Sequence, residues 1–357
     1  MDRRNGNNAS NQGPFSFFLN TKMLFLIIIL LVVLMFFLDV IFGSVRIAPS
    51  DLIHSLFKGG DEQIRIIILK FRIPKAVTAV FVGIALSVSG LQMQTVFRNP
   101  MAGPDVLGIS SGASLGVAFV ILGFHGSLSP EGLRWIGNWA IVGASWIGAG
   151  AVMILIMFIS VRVRDIMTVL ILGIMLASGI SAIVSIMQYF SNETMLKAYV
   201  IWTMGSLGNL TTGQIEILGL SLAFGLLLSL GSIKMLNALL LGENYASSIG
   251  LNITLARIII FTGASILVGS VTAFCGPIGF VGIAVPHIAR IIFRTSDHRL
   301  LIPSSILIGS LLMLVSDLIS QVPGSDKVLP VNSITSLVGI PIVIWVILRN
   351  RKYSGSF

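Results

Sequence analysis

Long apolar stretches without charge alternate with short polar segments along almost the whole chain. The first stretch, 23–38, follows a polar segment and continues without a small-residue cleavage site, so we interpret it as an uncleaved membrane span rather than a signal peptide. A membrane-spanning helix needs about 20 mostly apolar residues. The charge-free windows that predict further spans are 76–97, 106–130, 135–161, 166–192, 217–233, 258–289, 300–316 and 328–348.

One of these windows is too long for a single helix. Within 258–289, the sequence FCGPIGFVG at 274–282 predicts a break between a full span and a shorter helix. Counting that window as two, we predict an all-α polytopic membrane protein of about ten transmembrane helices. The Lys/Arg distribution favours both termini in the cytoplasm. We therefore expect a cytoplasmic N-terminal tail (1–22), one transmembrane domain (23–349) and a cytoplasmic C-terminal tail (350–357).

Composition excludes several classes of protein. Of the 357 residues, 55% are hydrophobic and 10% are charged, whereas soluble proteins carry about 25% charged residues. A soluble domain or a disordered chain is therefore excluded. The net charge of +9 is explained by basic cytoplasmic loops, so it indicates no nucleic-acid partner. A basic cluster between Arg46 and Lys75, on a predicted outer loop, is the exception.

The chain lacks the motifs of membrane enzymes. It has neither a phosphate-binding G-x-x-x-x-G-K-[ST] loop nor an H-E-x-x-H zinc motif. We therefore expect no catalytic site, no metal site and no cofactor bound by this chain. The single cysteine, Cys275, is expected to be a buried small apolar residue. His298 follows Asp297 in a charged loop and is expected to be a solvated polar residue rather than a metal ligand. The simplest function is a translocation pathway in the cell membrane.

Small residues spaced by four form a ridge on two of the predicted helices. Lipid provides no hydrophobic drive between helices, so such ridges favour close packing. The alternative is that one ridge lines a cavity or a sliding interface between subunits. The ridges are Gly108, Gly112 and Gly116 on one helix, and Gly173, Ala177, Ser181 and Ser185 on the other.

Charged residues inside the predicted spans are sparse. Asp317 is the clearest case, and Asp39 lies near the outer end of the first span. Ionisable groups within a membrane are functional candidates by default, and for Asp317 both a structural hydrogen-bonding role and a pathway role stay open. An ion-coupled secondary transporter, the alternative class, would need several such groups.

Three long blocks carry a resemblance to a known family. They are residues 71–116, residues 237–252 (NALLLGENYASSIGLN) and residues 276–320. In this order they resemble the FecCD family, the permease subunits of ABC importers for ferric siderophores, haem and cobalamin. The resemblance implies a BtuC-like type II importer fold in the cell (inner) membrane. Its cargo would be an iron(III)-siderophore or related metal chelate, with cobalamin and haem as alternatives.

The same resemblance implies partners. It predicts a second permease subunit, identical or a paralogue, and an extracytoplasmic substrate-binding protein. It also predicts two cytoplasmic ABC ATPase subunits, which would bind ATP and Mg²⁺ in place of this chain. The loop at about 234–256 would contact the ATPase, and Gly250 there is a predicted helix stop. The residues expected in this coupling role are Leu241, Gly242, Glu243, Ala246 and Gly250.

The resemblance assigns two more sets of residues. Arg72 and Lys75 would dock the binding protein. Gln321 replaces the arginine of a second docking contact, which puts that contact in doubt or moves it to Lys327. A cytoplasmic gate would be formed at two places, although a simple helix-end turn is an equal alternative for the first. The gate residues are Asn99, Pro100 and Met101, with Ile166 and Met167.

Overall fold

Apolar helices make up most of the chain in the computed structural model, which describes residues 20–43, 62–123, 130–163, 165–321 and 328–354. A short 3₁₀ turn, Pro104–Leu107, precedes the third helix. The helices are α1 (Thr21–Ile41), α2 (Glu62–Val96), α3 (Ile109–Ile121), α4 (Pro130–Arg162), α5 (Ile166–Tyr189), α6 (Glu193–Thr203), α7 (Thr212–Gly231), α8 (Ile233–Leu240), α9 (Glu243–Ser248), α10 (Ile253–Cys275), α11 (Val281–Phe293), α12 (His298–Ser320) and α13 (Val331–Ser354).

Seven of the described helices are long and apolar enough to cross a membrane: α1, α2, α4, α5, α7, α10 and α12. Three more, α3, α11 and the first part of α13, are apolar but shorter. The prediction of an all-α polytopic membrane protein is confirmed, whereas the count of ten spans and the orientation stay predictions. The predicted break is also confirmed, because α10 ends at Cys275 and α11 begins at Val281.

The core is built around α2, α10 and α12. More than half of the apolar window of each is buried, against 17% for α1. Where α2 crosses α12, a Cβ atom on Gly83 would lie 2.3 Å from the carbonyl oxygen of Gly309. Only glycine at both positions allows such a close backbone contact, which is how helices gain packing energy in lipid.

Helix α1 lies at the periphery of the bundle. The ring of Phe25, near its start, packs against the ring of Phe293 at the end of α11, with 4.6 Å between centroids. Near its other end, Asp39 and Val40 are buried. Between these points many side chains of α1 are exposed, including Leu30 and Leu34. The helix thus joins the core near its two ends and along one face.

Candidate functional site

A cavity of about 530 Å³ opens between α3, α5, α6, the segment 277–280 and the start of α13. Ile180, Val184 and Ile278 are among its apolar lining residues. Most of the remaining wall consists of neutral hydroxyl and amide groups, which can contact a polar cargo without holding it tightly. The polar lining residues are Asp105, Ser110, Ser111, Ser114, Ser181, Ser185, Gln188, Tyr199, Thr203, Asn332 and Ser336.

Asn332 ties together three parts of the cavity wall. Its side-chain Oδ1 accepts from the backbone N–H of Gly279 at 3.0 Å, and its own N–H donates to the carbonyl of Met204 at 3.3 Å. The hydroxyl of Tyr199 donates to the carbonyl of Ser114 at 3.4 Å, which joins α6 to α3. Sequence reasoning missed α6 and Asn332, because α6 is short and carries Glu193 and Lys197 like an outer loop.

The two small-residue ridges serve different purposes. On α3, a Cβ on Gly116 would lie 2.0 Å from the carbonyl oxygen of Ala144, so this ridge packs against α4. On α5, a Cβ on Gly173 would lie 2.4 Å from the carbonyl oxygen of Val106. Further along α5, however, Ser181 and Ser185 are exposed and line the cavity. Close packing is therefore confirmed for the first ridge and cavity lining for the end of the second.

A polar cluster formed by Asp39, Arg72, Lys75, Asp317 and Gln321 joins α1, α2 and α12 near the predicted outer end. Lys75 Nζ lies 3.0 Å from Asp317 Oδ1. The amide nitrogen of Gln321 donates to Asp317 Oδ2 at 2.9 Å and to Asp39 Oδ1 at 3.0 Å. Asp317 is fully buried here and is absent from the cavity lining. These contacts fit the structural alternative for Asp317, and its pathway role stays a prediction.

Arg72 of this outer polar cluster reaches the end of α1. Its guanidinium donates to the carbonyl of Val40 at 2.8 Å and to that of Ile41. A cation at the last carbonyls of a helix stabilises that helix end. Arg72 and Lys75 thus have partners within the chain, and their docking roles stay predictions. Lys327, the alternative docking residue, lies outside the described residues.

The predicted coupling residues lie at the opposite end, on α9 and in the turns before and after it. Leu241 is exposed, Ala246 is buried, and Glu243 begins α9. Gly250, two residues after the end of α9, has φ +90°, and the N–H of Leu251 donates back to the carbonyl of Ala246 at 3.0 Å. This is a Schellman end, so the predicted helix stop is confirmed.

Glu243 forms a two-pronged ion pair with Arg257 of α10. The Arg257 Nη2 atom lies 2.8 Å from Oε1 and 2.9 Å from Oε2 of the carboxylate. Arg257 is nearly buried, and its Nη1 also donates to the carbonyl of Val163, just after α4, at 3.1 Å. One guanidinium therefore connects α9 to both α10 and α4. Sequence reasoning counted Arg257 only as a cytoplasmic charge.

The end of α8 is linked to α12 through Asn237. Its amide nitrogen donates to Asp297 Oδ1 at 2.6 Å, and its Oδ1 lies 2.8 Å from Nδ1 of His298. The pKa of Asp297 is lowered, mainly because the backbone N–H of Arg299 donates to it and also because of the Asn237 amide. His298 is fully buried and also contacts Thr95 Oγ1. The expectation of a solvated histidine was wrong, because α12 begins against α2 and α8.

The five predicted gate residues lie in two separate turns. Asn99 Oδ1 accepts the N–H of Met101 at 2.9 Å, and the carbonyl of Pro100 lies 2.8 Å from Nε2 of His287 on α11. Ile166, which is buried, and the exposed Met167 begin α5. Within the described chain, no hydrogen bond joins the two turns. The first set makes the helix-end turn, and the gate stays a prediction.

Comparisons with known proteins agree with one another. The sequence profile of the FecCD transport family matches residues 29–349. The hemin transport permease HmuU of Yersinia pestis is 34% identical over 80% of this chain and 84% of that protein. The vitamin B12 import permease BtuC of Photorhabdus laumondii is 33% identical over 90% of this chain and 91% of its own length.

A solved structure also matches the fold. An ABC transporter assigned to the metal-chelate type, in an inward-facing conformation, superposes with a TM-score of 0.80 and is 25% identical. The match covers 92% of this chain and 99% of the other. The family profile spans most of the chain, from the middle of α1 to α13. The chain therefore belongs to the FecCD family of ABC transport permeases, and it is a multi-pass membrane protein of the inner membrane rather than an enzyme.

Proposed function

We propose that this chain forms one half of the translocation path of an importer for an iron(III)-siderophore or related metal chelate. The observation that carries the proposal is the cavity of about 530 Å³, whose wall is rich in serine hydroxyls. A chelate handed over by a tight binding protein needs a path that contacts it weakly. Neutral hydroxyls suit that need, because they hydrogen-bond to water about as well as to a polar cargo.

A second permease subunit would complete the path. Ser181 and Ser185 of α5 line the cavity yet are exposed in the single chain, so the wall is incomplete on that side. ABC permease relatives also imply ATPase subunits as partners. We assign the ATPase contact to α8 and α9, where exposed Leu241 lies beside the Glu243–Arg257 ion pair. An extracytoplasmic binding protein would dock at the opposite end, near the outer polar cluster.

The cargo is tested by uptake of labelled compounds in cells with and without this gene. Cells starved for iron receive a panel of labelled ferric siderophores and haem, and cobalamin-requiring cells receive labelled cobalamin. We expect that loss of the gene abolishes uptake of at least one ferric siderophore and leaves cobalamin uptake unchanged. Loss of cobalamin or haem uptake alone would contradict the proposed cargo and identify the other compound instead. Relatives named for hemin transport and vitamin B12 import make both compounds alternatives.

A further inference from the structure

One acidic side chain stands among the neutral polar groups of the cavity. Asp105 is the carboxylate among the described lining residues, and these include no lysine, arginine or histidine. Asp105 is exposed to the cavity, and the hydroxyl of Ser110 donates to its Oδ1. The two ion pairs of the described chain, at Lys75 and Arg257, involve other carboxylates. Burial raises the pKa of Asp105, while the hydrogen bond from Ser110 acts in the opposite direction. When Asp105 is ionised, the described wall carries a negative charge without a balancing cation.

Asp105 lies at the end of this cavity that is nearer the start of α5. Its neighbour Val106 packs against Gly173, and Gly108 packs against Ala177, both near the middle of α5. The other lining residues on α5, such as Ser185, lie further toward the end of that helix. A cargo that enters from the end near Gln188 therefore meets the hydroxyl-lined wall first and Asp105 last.

A fixed charge in this position discriminates between cargoes. Rings of acidic side chains select cations in membrane pathways, because low-dielectric surroundings strengthen the charge–charge interaction. An identical second subunit would add a second carboxylate. Ferric chelates differ widely in charge: three hydroxamates neutralise Fe³⁺, whereas three catecholates leave a trianion, and haem carries two propionates.

We propose that Asp105 is a selectivity residue that disfavours anionic cargo, so that this permease carries neutral or cationic ferric chelates of the trihydroxamate class. This inference rests on the proposed function of the cavity as a path for ferric chelates. Asp105 acts on the cargo directly and requires no covalent chemistry. The charge, rather than the shape of the side chain, is the property that matters.

The test uses two chelates with the same iron core and opposite charge. One is a ferric trihydroxamate with a terminal ammonium group, and the other is the same molecule succinylated at that nitrogen. The complete importer, with its ATPase and binding protein, is placed in liposomes, and kcat/KM for uptake is measured for each chelate. Comparing the cation-to-anion ratio between variants cancels the preference of the binding protein, which is identical in all assays.

Asp105→Asn is expected to lower this ratio roughly threefold to tenfold, as the loss of one partly screened charge predicts. Asp105→Glu keeps the charge and is expected to keep the ratio. Glu193→Gln removes an exposed acid outside the cavity lining and serves as the matched control. An unchanged ratio in Asp105→Asn, or an equal loss of both chelates, would overturn the inference. Uptake of neither chelate by the native importer would instead overturn the proposed cargo.

Discussion

Lys75 and Asp317 show what a charge requires at membrane depth. Asp317 is fully buried, with Lys75 of α2 and Gln321, the cap residue of its own helix, as partners. Removing a carboxylate from water costs several kcal/mol unless such partners replace the water. The position of α12 against α2 therefore depends on this pair as well as on apolar packing.

Lys75→Met is expected to lower the free energy of unfolding by about 3 kcal/mol, because the Asp317 carboxylate loses its cation. Adding Asp317→Asn should restore most of that loss, since an amide needs no counter-charge. Chemical denaturation in mixed micelles measures both variants. Unchanged stability of the single variant, together with weaker binding-protein affinity, would assign Lys75 to docking alone.

The sequence indicated which residues were candidates for a functional role but not which residues they contact. Asp317 was a candidate because charge is rare in apolar windows, and Arg72 because of the family resemblance. Their cluster depends on the rotation of three helices, which periodicity does not give. His298 was misjudged because its partner Asn237 is 61 residues away. Asp105 was overlooked because it precedes an apolar window and looks like a loop residue.

At the scale of the helix, the Glu243–Arg257 pair ties α9 to α10. A force on α9 would pass through one nearly buried guanidinium to α10 and to the end of α4. A rigid link of this kind suits the transfer of ATPase motion to membrane helices. Helix α8 has a second link, through Asn237, to α12.

Glu243→Gln and Arg257→Gln are each expected to uncouple uptake from ATP hydrolysis, with about 3 kcal/mol lost at the broken pair. Exchange of the two charges, Glu243→Arg with Arg257→Glu, should recover part of the coupling. Substrate-stimulated ATP hydrolysis and uptake are measured in the complete importer. Glu216→Gln, an exposed acid on α7, is the control. Normal coupling in both single variants would contradict this role.

The α2–α12 crossing makes a second prediction about helices. Gly83→Ala is expected to lower the free energy of unfolding by about 1–3 kcal/mol, because its Cβ meets the backbone of Gly309. Gly143→Ala in α4 has nothing within 4 Å of its Cβ. This control should change stability by less than about 1 kcal/mol, toward greater helix stability. Equal effects of the two substitutions would refute the close crossing.

Most helices were predictable because apolar windows bounded by charges indicate where a chain enters and leaves the lipid. The break at 276–280 was predictable too, since Pro and Gly interrupt a window longer than one span. Helix α6 was not, because it is too short to span a membrane and Glu193 and Lys197 interrupt its apolar residues. The packing of α2, α10 and α12 in the centre was also hidden, since lipid-facing and buried helices are equally apolar.

For the whole molecule, the cavity predicts a pattern of chemical accessibility. Ser185→Cys should react with a water-soluble maleimide in permeabilised membranes, because Ser185 lines the cavity. The native Cys275 is buried and should stay unmodified. Ser178→Cys, exposed on α5 but outside the cavity lining, is the matched control and should react little. Mass spectrometry measures the modification, and equal labelling at 178 and 185 would contradict the assignment of the cavity.

The peripheral place of α1 has a consequence for how this chain evolves. Helix α1 contacts the bundle through Phe25 near one end, Asp39 near the other and one face between them. At outward-facing positions such as Leu30 and Leu34, any large aliphatic side chain satisfies the lipid equally well. Selection is therefore expected to preserve the length and hydrophobicity of this helix rather than its exact amino-acid sequence. Neutral substitutions should accumulate at these positions. Sequence similarity between relatives should therefore fall faster in α1 than in the helices of the core.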